Sequence, residues 1–184
     1  MLTTRQALLD VLTRHRPRSE AERLDVERVL ALAAAEGDPW ARSAPVHVTA
    51  SAFIVHPDSG RVLLRWHPRH GSWLLVGGHA DDGEHDPLDT ALREGREETG
   101  LADLAPWPDA GLRHVVVVPV PANSREPAHE HADLRFVLAT GAPDTARPEH
   151  AEAPLRWMSP AEAHEAVAEA NVRETLSRVT SLLV

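Results

Sequence analysis

Apolar and polar positions change period several times along the chain, and each change marks an element. Near the N-terminus the period is helical. Leu8, Leu9, Val11 and Leu12 fall on one face of a first helix. Leu24, Val26, Val29, Leu30, Leu32 and Ala33 form the stripe of a second. Ser19 precedes that helix with Glu22 three residues on, the spacing of a capping box. Gly37, Asp38 and Pro39 end it. Residues 3 to 36 therefore predict two amphipathic helices, each needing a surface to bury against. A helical cap on the same chain and a homodimer surface suit that need equally well.

From Val46 the pattern turns to strands. Val46 to Val55 is rich in Val, Thr, Phe and Ile, and Pro57-Asp58-Ser59-Gly60 makes a turn into Arg61 to Trp66, which predicts a hairpin. Trp73 to Val76 predicts one short strand. Leu112 to Val120, Ala132 to Thr140 and Pro154 to Met158 predict three more, with surface loops over Pro121 to Glu130 and Thr145 to Ala153. One helix lies among the strands. Asp86 is its N-cap, Pro87 its first residue and Gly100 its stop, with Leu88, Ala91 and Leu92 facing inward. Ser159 and Pro160 open a closing helix, and Asn171 to Leu183 continues or follows it. Strands, a helix, more strands and a closing helix predict an α+β fold of the α/β/α sandwich type, with a helical segment ahead of it.

Composition narrows the function. With 184 residues the chain fits one domain and a small appendage, and 42% hydrophobic residues suffice for a core. A net charge of −9 argues against a nucleic acid polymer as partner. Cys is absent, which removes disulfides and thiol chemistry. No apolar run reaches membrane-spanning length and no signal-peptide pattern opens the chain, so a cytoplasmic protein is expected. The basic residues are all Arg, and this strong bias makes the 12 His weak evidence individually.

The chemistry concentrates in Gly77 to Leu101. Glu94, Glu97 and Glu98 share one helical face, where three like charges repel unless a hard cation lies among them. Gly77 and Gly78 precede them and allow a close backbone approach. This stretch resembles the Nudix box, G-x5-E-x7-R-E-U-x-E-E-x-G-U with U a large aliphatic residue. Gly78, Glu84, Arg93, Glu94, Glu97, Glu98, Gly100 and Leu101 carry the match. Two departures stand out. Eight residues separate Glu84 from Arg93, one more than the pattern has, and Gly95 stands at an aliphatic position.

The resemblance implies a mixed sheet between helices, with residues 1–40 as an N-terminal helical segment and 41–184 as a Nudix hydrolase domain. It implies that Glu94, Glu97, Glu98 and the Gly77 carbonyl hold Mg²⁺ or Mn²⁺. The expected reaction is hydrolysis of the diphosphate bond of a small nucleoside diphosphate derivative. Glu84 and Arg93 are expected to be structural, a fork tying loop to helix. Glu94 ranks first as the base that activates water, Glu149 second and Glu130 third. A non-catalytic nucleotide-sensing domain is the alternative, disfavoured because every box carboxylate is present. The isomerase branch of the superfamily needs a Cys, which this chain lacks. Downstream, His129, His131, Asp133 and Arg135 alternate and would share one strand face, either a plain polar surface or a wall of the substrate cleft. The His-x-His spacing also fits a metal pair. With His79, which directly follows the glycines, His129, His131 and Arg135 are the candidate substrate-binding residues.

Overall fold

Two long strands, β1 (Val46–His56) and β7 (His129–Ala139), pair in parallel from Val46↔Glu130 to Val55↔Ala139 and form the middle of a mixed sheet. The computed structural model of the protein describes residues 4–124 and 126–183. Residues 1–3 and 184, at the ends of the two expected segments, and residue 125 lie outside the described residues. β2 (Arg61–His67) returns from β1 as an antiparallel hairpin. β3 (Ser72–Leu74) and β8 (Leu155–Met158) both pair with β2. β4 (Val76–His79) pairs with the first half of β1. On the far side of β7 lie β5 (Ala105–Pro106) and β6 (His114–Val120).

Two strand expectations need correction. The single strand over Trp73 to Val76 is two strands with different partners, because the chain leaves β2 and crosses to β1 at Leu75. β7 starts at His129 rather than Ala132, because β6 is long enough to pair it there, Val120 against His129.

Helices cover both faces. α1 (Thr4–Arg14), α2 (Glu20–Ala34) and α3 (Pro87–Thr99) share one core with the sheet, built from Leu8, Leu12, Val29, Ile54, Leu134 and Phe136 among others. α4 (Pro160–Ala166) and α5 (Ala170–Thr180) close the opposite core around Phe53, Val62, Val137, Met158 and Leu176. Val167 adopts extended geometry, so the closing helices are separate.

The N-terminal stripes are buried within this chain. Leu8 is 0% and Leu12 1% exposed, and each such burial is worth about 1.5–3 kcal/mol. Leu24 departs from the expected stripe and is exposed. α2 also covers an open sheet edge. The outer N–H groups of β6 donate to it, Val115 to Glu22 Oε1 at 3.2 Å and Val117 to Asp25 Oδ2 at 3.1 Å. Ser19 caps α2 by accepting the Glu22 N–H at 3.2 Å. The returning half of the capping box is not made. The Glu22 carboxylate turns inward instead and accepts from Arg18 N at 2.6 Å, His15 Nε2 at 2.7 Å and Arg178 Nη1 at 2.8 Å.

Candidate active site

α3 starts and stops where its sequence dictates. Asp86 accepts the Leu88 N–H at 2.9 Å, Pro87 occupies the first turn, and Gly100 closes the helix in left-handed geometry at φ +68°. The extra residue of the box lies in the loop ahead of the Asp86 cap, so it does not shift the helical register. Arg93 still reaches back across that loop. Its Nε and Nη2 donate to Glu84 at 2.9 and 3.1 Å, and Nη2 also donates to the His79 carbonyl at 2.8 Å. Its Nη1 donates to Glu94 at 3.1 Å and Glu97 at 2.7 Å. One guanidinium thus joins loop, strand end and acidic helix.

The glycines let α3 lie directly on β4. A Cβ on Gly78 would sit 2.5 Å from Glu94 Oε1. Gly77 has φ +153°, and a Cβ there would meet the Ala50 carbonyl at 2.5 Å. Gly77 meets backbone and does not tolerate a side chain, whereas a side chain at Gly78 would displace the Glu94 carboxylate. Glu98 is 9% exposed, accepts the Gly77 N–H at 3.0 Å and lies 3.3 Å from Arg65 Nη1. Burial outweighs those two favourable contacts and pushes its carboxyl up to about 7, with Glu94 and Glu149 adding repulsion. Burial also raises Glu94, against the pull of Arg93. Glu97 is half exposed. Glu149 donates its N–H to the Glu98 carbonyl at 3.3 Å, which brings its loop to the C-terminal end of α3. Glu130 leaves this group: its carboxylate is 2.6 Å from Arg28 of α2.

Glu94, Glu97 and Glu98 supply hard oxygen atoms of the type a divalent cation takes. In this structure Arg93 holds Glu94 and Glu97 while Arg65 lies beside Glu98, so the three carboxylates do not converge on one point. A cavity of about 300 Å³ opens between the segment holding Asp38, Trp40 and Arg42 and the box loop at Asp81, Glu84 and His85, and none of the three helix glutamates lines it. Trp40 is 6% exposed, and its indole Nε1 has no partner among the described residues.

The Gly78 Cβ direction faces α3, so His79, next in the strand, faces the other way. There it meets His131 and His129, as the sequence grouped them, together with His47 of β1, which the sequence did not. His47 Nε2 lies 3.0 Å from His79 Nε2, and His129 Nε2 lies 3.1 Å from His131 Nε2. Burial, reinforced by the neighbouring imidazoles and, for His79, by Arg42, holds His79 down to about 3 and His131 to about 4. His47 is lowered by burial as well. The only sequence signal for His47 is its place in β1, where parallel register sets it opposite His131. Arg135 is a correction. It is 4% exposed and its guanidinium is occupied by Asp133 at 2.8 Å, the Asn171 carbonyl at 3.0 Å, Asn171 Oδ1 at 2.8 Å and Thr175 at 2.9 Å. It fastens α5 to β7 and does not face a substrate.

Comparison with known proteins agrees with this architecture. A family model described as the NUDIX domain matches residues 45–179. The chain belongs to the NUDIX family. Among curated proteins, the chain is 33% identical over 95 residues to a probable DHNTP pyrophosphohydrolase of Lactococcus lactis, which covers 50% of this chain and 54% of that protein. The chain thus matches about half the length of that relative. Among solved structures it resembles a C. elegans Ap4A hydrolase in a binary complex, with TM-score 0.58 and 20% identity over 74% of this chain and 96% of that one. It also resembles the E. coli dihydroneopterin triphosphate pyrophosphohydrolase, with TM-score 0.53 and 19% identity over 76% and 97%. At these identities the structural likeness concerns the fold.

Proposed function

We propose that the protein is a divalent-cation-dependent pyrophosphohydrolase that cleaves a phosphoric anhydride bond in a small nucleoside diphosphate derivative. The observation that carries this reading is the seating of Glu94 and Glu98, both with raised proton affinity, directly against the Gly77–Gly78 strand. Glu94, Glu97, Glu98 and the Gly77 carbonyl would hold Mg²⁺ or Mn²⁺. When bound, such a cation neutralises phosphate charge and acidifies water. Arg93 and Glu84 fix the distance between loop and helix. Glu94 is the first candidate for accepting the proton of the attacking water, since burial already favours its protonated form. Glu149, on its loop beside Glu98, is the second. The cavity at Trp40 offers room beside the box for the organic part of the substrate.

The test is a panel of anhydrides that includes dihydroneopterin triphosphate and diadenosine tetraphosphate, with products resolved by chromatography. Cleavage of at least one compound is expected, lost with chelator and restored by Mg²⁺ or Mn²⁺. Full turnover in chelator would refute the reading. Binding of a panel member without any cleavage would favour the nucleotide-sensing alternative.

A further inference from the structure

We propose that His47, His79 and His131, flanked by His129, form a second metal site, which takes one transition-metal cation of the zinc class through imidazole nitrogens. It is independent of the carboxylate site and of the hydrolase reading. Ligand-capable nitrogens of His47, His79 and His131 all lie within 4.8 Å of one another. The fourth ring stands close by, with the His47 and His129 centroids 5.2 Å apart. Tetrahedral Zn–N bonds of about 2.0–2.1 Å place ligand nitrogens ~3.3 Å apart. The observed 3.0 and 3.1 Å pairs therefore need only a small opening to admit a cation.

The rings are also oriented for ligation. His47 Nδ1–H donates to the Ala44 carbonyl at 3.0 Å, and His129 Nδ1–H donates to the Pro127 carbonyl at 2.9 Å. Each bond fixes the tautomer that presents a free Nε2 lone pair to the cluster, the outer-shell arrangement typical of metal-bound histidine. Without a metal, the remaining contacts are imidazole pairs in which one Nε2–H serves one neighbour. The neighbouring charged groups do not claim the rings. Asp133, the nearest carboxylate on β7, is engaged by Thr49, Ser51 and Arg135. Arg42 and Glu126 act on the cluster only at longer range.

Donor chemistry separates the two sites. Imidazole suits Zn²⁺, Cu²⁺, Ni²⁺ and Co²⁺, whereas Mg²⁺ prefers oxygen. Position adds a consequence. The ligands come from β1, β4 and β7, so a bound cation would pin three strands where they converge. The His79 carbonyl is also an acceptor of Arg93, so the same residue links this site to the box. The direct substrate contact expected of His79, His129 and His131 is replaced by a metal in this proposal.

The experiment uses the full chain, freed of metal by chelation and dialysis, titrated with Zn²⁺ in a calorimeter with and without excess Mg²⁺. One equivalent of Zn²⁺ should bind in excess Mg²⁺, which occupies the carboxylate site, and that equivalent should persist when Mg²⁺ is omitted. The Glu97→Gln/Glu98→Gln double variant should retain it, while His79→Gln and His131→Gln should each weaken it at least ~10-fold. Both histidines are only partly buried, and circular dichroism checks that the variants fold. A reading that needs no variant comes from Co²⁺. Tetrahedral nitrogen coordination gives intense visible bands, whereas octahedral oxygen coordination gives weak ones. Intense bands with Zn²⁺ binding lost in the histidine variants support the site. Weak bands alone, or Zn²⁺ binding lost in the glutamate variant and kept in the histidine variants, overturn it.

Discussion

Glu22 and Glu98 are both buried carboxylates, and the fold treats them in opposite ways. Glu22, 1% exposed, accepts from two backbone N–H groups, His15 and Arg178, and these bonds hold its carboxyl far below the usual range despite burial. Glu98, 9% exposed, has one N–H and an arginine at 3.3 Å, and its carboxyl is pushed up to about 7. The first is how a protein buries a charge for stability, with every lone pair matched. The second is a charge its surroundings disfavour, and such groups cluster at functional sites. The same residue type thus forms a structural joint in one region and, in the proposed function, part of the cation site in the other.

The contrast makes a pair of strong predictions. Glu22→Ala removes the acceptor shared by His15, Arg18, β6 and α5, and leaves the buried Arg178 with only Glu174 and the Arg113 carbonyl. Breaking such a network costs about 3–5 kcal/mol, read from urea unfolding. A loss below ~1 kcal/mol would place Glu22 with ordinary surface carboxylates and dissolve the contrast. Glu98→Gln should do the reverse. Stability should hold or rise, and cation-dependent turnover should fall at least ~10²-fold, equivalent to about 2.7 kcal/mol of barrier. Glu97→Gln should fall similarly. Near-wild-type rates in both variants would remove the functional half of the comparison.

A smaller effect follows from pH. Glu22 has a folded pKa below its unfolded value of about 4.3, so its contribution is complete above that value and is lost as pH falls through it. His114 lies in the same junction, its Nδ1 2.8 Å from Thr175 Oγ1. Burial, with Arg135 and Arg178 nearby, holds it down to about 4. The unfolded imidazole, near 6.5, protonates first, so this contribution is complete above ~6.5 and declines between ~6.5 and 4. Between about 7 and ~4.5 the raised Glu98 carboxyl acts in the opposite sense, so the histidine stage is read in the Glu98→Gln background, where thermal melts should be level above pH 7, fall below ~6.5 and fall again below ~4.5 as Glu22 protonates. Other buried histidines share the direction, so His114→Gln should lessen the upper stage without abolishing it. A melting temperature constant from pH 7 to 4 in that background would contradict this account of the junction.

The two regions also differ in how far they could be read beforehand. The box site was legible because its determinants are local. Helical spacing puts Glu94, Glu97 and Glu98 together, Asp86 and Gly100 bound the helix, and Gly77 and Gly78 sit next door. Glu22 was legible only as far as its local spacing to Ser19, which suggested a capping box. Its actual partners, Val115 and Arg178, are brought to it by tertiary packing. The histidine cluster shows the same limit, since His47 reaches His79 and His131 only through strand register. Arg135 misled because alternation correctly gave its face and could not reveal that α5 would cover it.

The smallest effect concerns the helix that carries Glu98. Gly95 is buried where α3 packs on β1 and β7, next to the face that carries Glu94 and Glu98. A Cβ there would approach Leu104 Cδ1 at 3.0 Å, Leu138 Cδ1 at 3.5 Å and the Ala52 Cβ at 3.8 Å. Alanine would gain about 1 kcal/mol of helix propensity. The one tight contact is the terminal methyl of Leu104, which must shift a few tenths of an ångström. Overpacking that cannot relax costs about 1–3 kcal/mol, but the contact is with the tip of the buried Leu104 side chain, which can yield by rotation without moving backbone. Gly95→Ala should therefore stabilise the protein slightly, by less than ~1 kcal/mol, with turnover unchanged. That outcome would show that the charge environment of Glu98, rather than the exact depth of α3 against the sheet, sets the activity. Lost turnover at retained stability would instead make the seating of the helix the controlling feature, and the contrast with Glu22 would then have to be drawn from position before charge.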